Sequence, residues 1–213
     1  MKTFWSQPLC AASLLLAATA PAHSALMFTA TLDASQVVSN ASTETGTGFA
    51  TFTLNDAMTT LDYTLNLTGL NLEPEGDGRS DPSDVDKIHL HVAPPGTPGP
   101  HVLNIFGLPS EDDNDLVVDF VANSLTGRWD DGDAIDPNTG NPFDQSAGGT
   151  TKFFSDHLND LLAGNLYIAV HTAGQGGQVA IRGQLQQVPL PASIWLLLPM
   201  LIVLRLARRS GGN

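Results

Sequence analysis

The 213-residue sequence predicts an all-β fold, an antiparallel sandwich or barrel, for the segment between its two termini. Apolar and polar residues alternate there in several short runs, which is the pattern of half-buried antiparallel strands. Clusters of Gly, Pro, Asn and Asp separate the runs, and such spacing is typical of sandwiches and barrels. One short stretch has the spacing of an amphipathic helix, so helices contribute little to the predicted fold.

The clearest strand is predicted at 60–70. Its Leu61, Tyr63, Leu65 and Leu67 fall on one face, and polar residues occupy the positions between them. Similar alternation or a short apolar run predicts the other strands. In chain order the predicted strands are 26–38, 48–55, 60–70, 87–92, 104–108, 116–122, 164–172 and 177–185.

One short helix is predicted near residues 155–163. Ser155 is placed to cap its N-terminus, and Gly164 follows as the residue expected at its C-terminus. Its length suits a helix that closes one end of the sandwich. The apolar stripe of this helix consists of Leu158, Leu161 and Leu162.

Two acidic loops, 73–86 and 129–144, interrupt the strands. Calcium prefers several oxygen ligands on a flexible loop, so the second loop is a candidate calcium site. Alternatively its carboxylates are solvated, because the order of an EF-hand loop and its closing glutamate are missing. The candidate ligands are Asp130, Asp131, Asp133, Asp136 and Asn138.

Residues 1–25 are predicted to be a secretory signal peptide. Lys2 precedes an apolar stretch that ends at Ala20, and small residues then offer cleavage sites after Ala22 or Ala25. A membrane anchor is the alternative, but the apolar stretch is short for one.

Residues 188–213 begin with the sequence VPLPA and continue into a short apolar segment and an arginine cluster. A transmembrane segment is therefore predicted over about 192–207. Because the segment is short, it could span the membrane only with little tilt or where the bilayer is thinned. The arginines after it are expected on the cytoplasmic side, which places the preceding domain outside. The VPLPA motif consists of Val188, Pro189, Leu190, Pro191 and Ala192.

This C-terminal segment resembles the VPLPA variant of the PEP-CTERM sorting tail. The resemblance implies an exported bacterial envelope protein. It also implies a membrane-embedded exosortase-type enzyme that recognises the tail, so that the domain either stays anchored to the membrane or is released when the tail is cut. The implied destination is the cell surface or the extracellular polysaccharide matrix, with polysaccharide or other envelope proteins as partners.

The body between the two terminal segments, residues 26–187, is strongly acidic. All 22 Asp and Glu of the chain lie in it against five Lys and Arg, a difference of −17. This charge excludes nucleic acid as a partner, because a phosphate backbone requires a basic surface. The chain's one cysteine, Cys10, lies in the predicted signal peptide, so the fold depends on packing without a disulfide.

Several phrases of the body resemble the CHRD domain, the chordin-type module that also occurs in bacterial secreted proteins. The resemblance covers most of 26–187 and leaves 129–150 as an insertion. It implies an immunoglobulin-like β-sandwich, and it assigns no defined biochemical activity. In order, the phrases are FTATLDASQVV, GTGFATFTLN, LDYTLNLTGL, IHLH, LTGRW, LLAGNLYIAVHTA and GQVAIRGQL.

In the strand predicted at 87–92, His89 and His91 alternate with three aliphatic residues. The aliphatic side chains favour the core, so both imidazoles are predicted to face outward or into a groove. His171 has the same orientation in the strand predicted at 164–172. A cluster of three histidines across neighbouring strands suits zinc or copper, since neutral imidazole is a common ligand of both.

A structural role is the alternative for these histidines. If the last two strands form a hairpin, Arg182 emerges on the same face as His171 and near it. A fixed guanidinium beside a divalent cation is unfavourable. The guanidinium could instead bond a carboxylate such as Asp86, and the histidines would then belong to a polar network. The sequence leaves both interpretations open.

The body contains none of the common catalytic motifs G-x-S-x-G, P-loop and H-E-x-x-H, and no cysteine nucleophile. Ser155, Asp156 and His157 are adjacent on the predicted helix, so their side chains point apart and form no triad. A carboxylate pair for glycoside hydrolysis depends on three-dimensional separation and stays open. The sequence thus predicts a non-enzymatic binding or structural module of the envelope, with metal binding or metal-dependent activity as the alternative.

Overall fold

The computed structural model describes residues 25–74, 79–107 and 114–189. They form ten β-strands in two antiparallel sheets and one α-helix, which confirms the all-β prediction. The predicted signal peptide, apart from Ala25, lies outside the described residues. The strands are β1 Leu26–Leu32, β2 Thr47–Leu54, β3 Leu61–Thr68, β4 Val85–Val92, β5 His101–Gly107, β6 Val117–Asp119, β7 Ser124–Trp129, β8 Leu166–Thr172, β9 Val179–Gln184 and β10 Gln186–Gln187; the helix is α1 Phe154–Leu162.

The two sheets pack face to face as a β-sandwich. The six-stranded sheet has the order β10-β1-β2-β3-β7-β6, and the four-stranded sheet has the order β5-β4-β8-β9. Their inner faces share one apolar core, in which every large side chain named below is at most 1% exposed. Each such side chain stabilises the fold by about 1.5–3 kcal/mol. Examples are Phe28 and Phe52 from the first sheet and Ile88, Leu90 and Ile168 from the second.

The strand predictions hold best where alternation is cleanest. In β3, Leu61, Tyr63, Leu65 and Leu67 are buried, as predicted. β7 was not predicted as a strand, although it pairs with the whole central part of β3. The reason is its composition, because glycine and arginine near its end interrupt the apolar alternation. β1 is shorter than the strand predicted at 26–38.

Helix α1 confirms the predicted helix but not its predicted N-terminal cap. The helix begins one residue earlier, after Phe153, and Ser155 lies inside its first turn. The Ser155 N–H donates to Oδ1 of Asp131 at 2.8 Å, so a distant loop satisfies this helix end. Gly164, just past the other end, has φ +73°, the left-handed conformation expected of a C-terminal glycine.

The last described residues hold the start of the VPLPA motif against the domain. The Val188 N–H donates to the carbonyl of Met27 at 2.8 Å, next to the pairing of β10 with β1. The rest of the motif after Pro189, and the transmembrane segment predicted at 192–207, lie outside the described residues. In the part of the chain that is described, no helix has the length and apolar character to span a membrane.

Candidate metal centre

The outer face of the four-stranded sheet carries four histidines. His89 and His91 come from β4, His101 from β5, and His171 from β8. Side chains alternate between the two faces of a strand, so the aliphatic neighbours of the β4 histidines fill the core while the imidazoles meet outside it. This orientation agrees with the prediction.

The outer face is covered, however, so the imidazoles point away from the core, as predicted, without facing solvent. His89 is 3% exposed and His171 is 9% exposed, while His91 is partly buried. Two loops close over the face: 94–100 between β4 and β5, and 173–178 between β8 and β9. Alternation along a strand reports which face a side chain takes, and it carries no information on what covers that face.

The same two loops fix the protonation of two imidazoles. Nδ1 of His91 lies 2.9 Å from the carbonyl of Gly99, and Nδ1 of His171 lies 2.9 Å from the carbonyl of Gly177. A carbonyl only accepts a hydrogen bond, so each Nδ1 carries the proton and donates it. Each Nε2 is therefore the unprotonated nitrogen, which is the state of a histidine ready to bind a metal.

The three histidines predicted from the sequence converge in the structure. His89, His91 and His171 each offer a ring nitrogen, and these three atoms all lie within 4.8 Å of one another. The Nε2 atoms of all three are buried without a hydrogen-bond partner. An unpaired buried polar atom costs about 1–3 kcal/mol, so three at one point indicate a shared partner.

Burial keeps these imidazoles neutral. Desolvation, together with the positive charge that neighbouring histidines would carry, lowers the pKa of His89 to about 2. Burial likewise lowers the pKa of His91 to about 3 and that of His171 to about 4. At neutral pH the cluster is uncharged, and its lone pairs are free of protons.

Arg182 does not take the place of the third histidine. Tyr167 on β8 lies between His91 on β4 and Arg182 on β9. Its ring stacks on the imidazole of His91 at 4.8 Å, and the guanidinium of Arg182 lies 3.7 Å from the Tyr167 ring centroid. Arg182 Nη2 donates to Oε1 of Gln184 at 3.0 Å, so the guanidinium is held there rather than at Asp86.

Sequence reasoning missed the fourth histidine, His101. Its ring centroid lies 4.5 Å from that of His89 and 5.4 Å from that of His91. The prediction began the fifth strand at Asn104, which left His101 in the preceding loop. β5 in fact begins at His101, and register shifts against β4 blur the alternation there. A histidine directly after the Pro/Gly turn was the available signal.

The acidic loop does not converge in the same way. Asp130 and Asp133 close a capping box around the 3-10 turn Asp131–Ala134, and Asp136 accepts from the backbone N–H of Asn138. These carboxylates therefore bind the loop's own backbone. Within 25–74, 79–107 and 114–189, the three-histidine group is the one cluster of at least three suitable ligands.

One comparison with known proteins identifies the family of this domain. A model of the CHRD domain matches residues 28–185, which include all four histidines of the outer face. Searches of the curated proteins and of the solved structures each gave no match. The domain is a module of secreted and extracellular proteins. Since the match covers well over half of the sequence, this chain belongs to the CHRD domain family.

Proposed function

We propose that this CHRD domain binds one zinc or copper ion through His89, His91 and His171. The proposal rests on two observations: the three histidines each bring a ring nitrogen within 4.8 Å of the others, and their Nε2 atoms are buried without a partner. Both ions favour neutral imidazole, and a group made of imidazoles alone suits them better than calcium or magnesium. Two adjacent strands hold the ligands, which gives the group a fixed spacing.

Metal content tests this proposal directly. The purified protein is loaded with zinc or copper, freed of excess metal and analysed for bound ion. We expect about one ion per chain, and none in the double variant His89→Ala with His91→Ala. His157→Ala is the matched control, because His157 lies on α1 and bonds Asp160 instead of the cluster. Wild-type metal content no higher than that of the double variant contradicts the proposal.

We also infer that the chain is an exported bacterial envelope protein that presents this domain, an immunoglobulin-like sandwich, outside the cytoplasmic membrane. The family's occurrence in extracellular proteins supports export, and the VPLPA resemblance supports sorting by an exosortase-type enzyme. Truncation after Pro189 tests anchoring without disturbing the domain, because it keeps the hydrogen bond from the Val188 N–H to the Met27 carbonyl. We expect the truncated protein in the medium, and unchanged association with the cell would contradict anchoring by the tail.

A cleft beside α1 is a candidate site for an extracellular polysaccharide. Its volume is about 600 Å³, and the exposed glutamines Gln186 and Gln187 contribute to its wall. Amide side chains can donate to and accept from sugar hydroxyls. We expect the double variant Gln186→Ala with Gln187→Ala to bind more weakly to immobilised extracellular polysaccharide from the organism that produces the protein. Equal binding of the variant and the wild type to the polysaccharide would contradict this second proposed function.

A further inference from the structure

We propose that His101 is the fourth ligand of this centre, so that the bound ion is enclosed by four imidazoles. The proposal rests on the metal site of His89, His91 and His171 and goes one step further. Three protein ligands leave a coordination position for water or substrate, as in catalytic zinc sites. Four protein ligands close the ion off, as in structural sites. The identity of the fourth ligand therefore distinguishes a catalytic metal site from a structural or storage site.

The position of His101 favours a ligand over a bystander. Its ring lies 4.5 Å from His89 and 5.4 Å from His91, centroid to centroid. For comparison, the ring centroids of His89 and His171, both in the converging group, are 5.3 Å apart. His101 thus approaches the group as closely as its own members approach each other.

The protonation of His101 is set for metal binding as well. Its Nδ1 lies 3.2 Å from Oδ1 of Asn104, and the Asn104 side chain is itself buried. The amide nitrogen of Asn104 donates to the carbonyl of Gly149 at 2.9 Å, which fixes the amide with its oxygen toward His101. Nδ1 of His101 must therefore donate, and Nε2 is left with its lone pair.

His101 has the freedom to complete the site. It falls outside the group whose nitrogens lie within 4.8 Å of one another, so its ring must turn to bring Nε2 to the ion. The side chain is partly exposed, it lies on the first residue of β5, and its bond to Asn104 is near the long limit for a hydrogen bond. A bond to the metal offsets the loss of that weak contact.

The enclosed ion has a predictable role. With four imidazole ligands, a tetrahedral zinc ion has no open position, so the domain holds it as a structural ion or an extracellular reservoir. Chemistry at the metal would then require His101 to leave. In this reading, His101 determines which class of function the site serves.

The test uses copper(II) and the full-length protein in detergent, comparing wild type, His101→Ala and the control His157→Ala. Electron paramagnetic resonance counts the nitrogen ligands, and added azide reports how accessible the equatorial positions of copper(II) are. We expect four nitrogens and a weak azide band in wild type and in His157→Ala. We expect three nitrogens, a stronger azide band and at least about 10-fold weaker copper binding in His101→Ala.

The two proposals fail in different ways. If wild type binds copper with three nitrogens and takes azide as readily as His101→Ala does, the site is open and the role of His101 is overturned while the metal site stands. If wild type binds no copper above the level of the His89→Ala with His91→Ala variant, the metal site itself is overturned. A His101→Ala protein that fails to fold is replaced by His101→Gln, for which the same open-site signature is expected.

Discussion

The histidine cluster and the acidic loop at 129–144 both had the composition of a metal site, and only the first has the geometry of one. The histidines lie on adjacent strands, each brings a ring nitrogen within 4.8 Å of the others, and their Nε2 atoms are buried and unpaired. The loop holds more ligand atoms, but most lie at the surface and accept hydrogen bonds from nearby backbone. Rigid elements bring a few ligands to one point, whereas a flexible loop satisfies its carboxylates locally.

The largest effect that separates the two regions is stabilisation by a transition metal. At a free zinc concentration of 100 times Kd, binding to the folded state stabilises it by about 2.7 kcal/mol. For a domain of this size that raises Tm by roughly 5–10 °C. His171→Ala should clearly reduce the shift, because it removes one of the three converging nitrogens. Thermal melts followed by circular dichroism measure it.

The control for this prediction is His157→Ala, whose side chain is bonded to Asp160 on α1. It should keep the full zinc-dependent shift. An equal shift in His171→Ala and wild type would mean that zinc acts elsewhere, for example on the acidic loops. The acidic loops, and not the histidine cluster, would then be the metal-binding region of the domain.

Sequence patterns predicted an antiparallel sandwich or barrel, the core face of β4 and the outer-face position of His89, His91 and His171, because each depends on local alternation. They did not predict the burial of those histidines, since the loops that cover them are set by tertiary packing. They also placed β5 three residues late and so missed His101. The cap of α1 was missed for a similar reason: Asp131, 24 residues away in the chain, provides the acceptor.

Asp133 is the buried member of the acidic loop, and its effect on stability depends on pH. Burial, and then the charges of Asp130 and Asp115, raise its pKa to about 7 from an ordinary value of 3.8. The folded state therefore holds a proton that the unfolded state releases near pH 4. The stability that this proton contributes is present below about pH 4 and is lost as the pH rises through 7.

Asp133→Asn removes that pH dependence and keeps an oxygen to accept from the Asp130 N–H. Relative to wild type, the variant should gain stability as the pH rises from 4 to 8, by about 1.4 kcal/mol for each unit of raised pKa. Urea unfolding at several pH values gives the difference directly. A difference that stays constant across this range would show that Asp133 is ionised in the folded protein at all of these pH values.

Asp131 gives a smaller effect, because its task is to satisfy one helix donor. Asp131→Ala leaves the Ser155 N–H at the start of α1 without its acceptor. We expect a loss of about 1 kcal/mol in the free energy of unfolding, typical for removal of an N-terminal capping group. Asp136→Ala, in the same loop but bonded only within it, is the comparison variant. A loss no larger than that of Asp136→Ala would show that Asp131 contributes nothing particular to the helix.

Calcium should give the smallest effect. At millimolar calcium, we expect the Tm to change by no more than the experimental error of the thermal melt. Asp130 and Asp133 are held in a capping box, and Asp136 accepts from the backbone, so binding calcium would require breaking bonds that the loop already makes. The ion would also gain little from long-range attraction, since salt screens exposed charges beyond about 8–10 Å. A clear calcium-dependent rise in Tm that Asp130→Asn removes would show that the loop rearranges around the ion. In that case the number of carboxylates, rather than their convergence before binding, would decide where this domain binds metal.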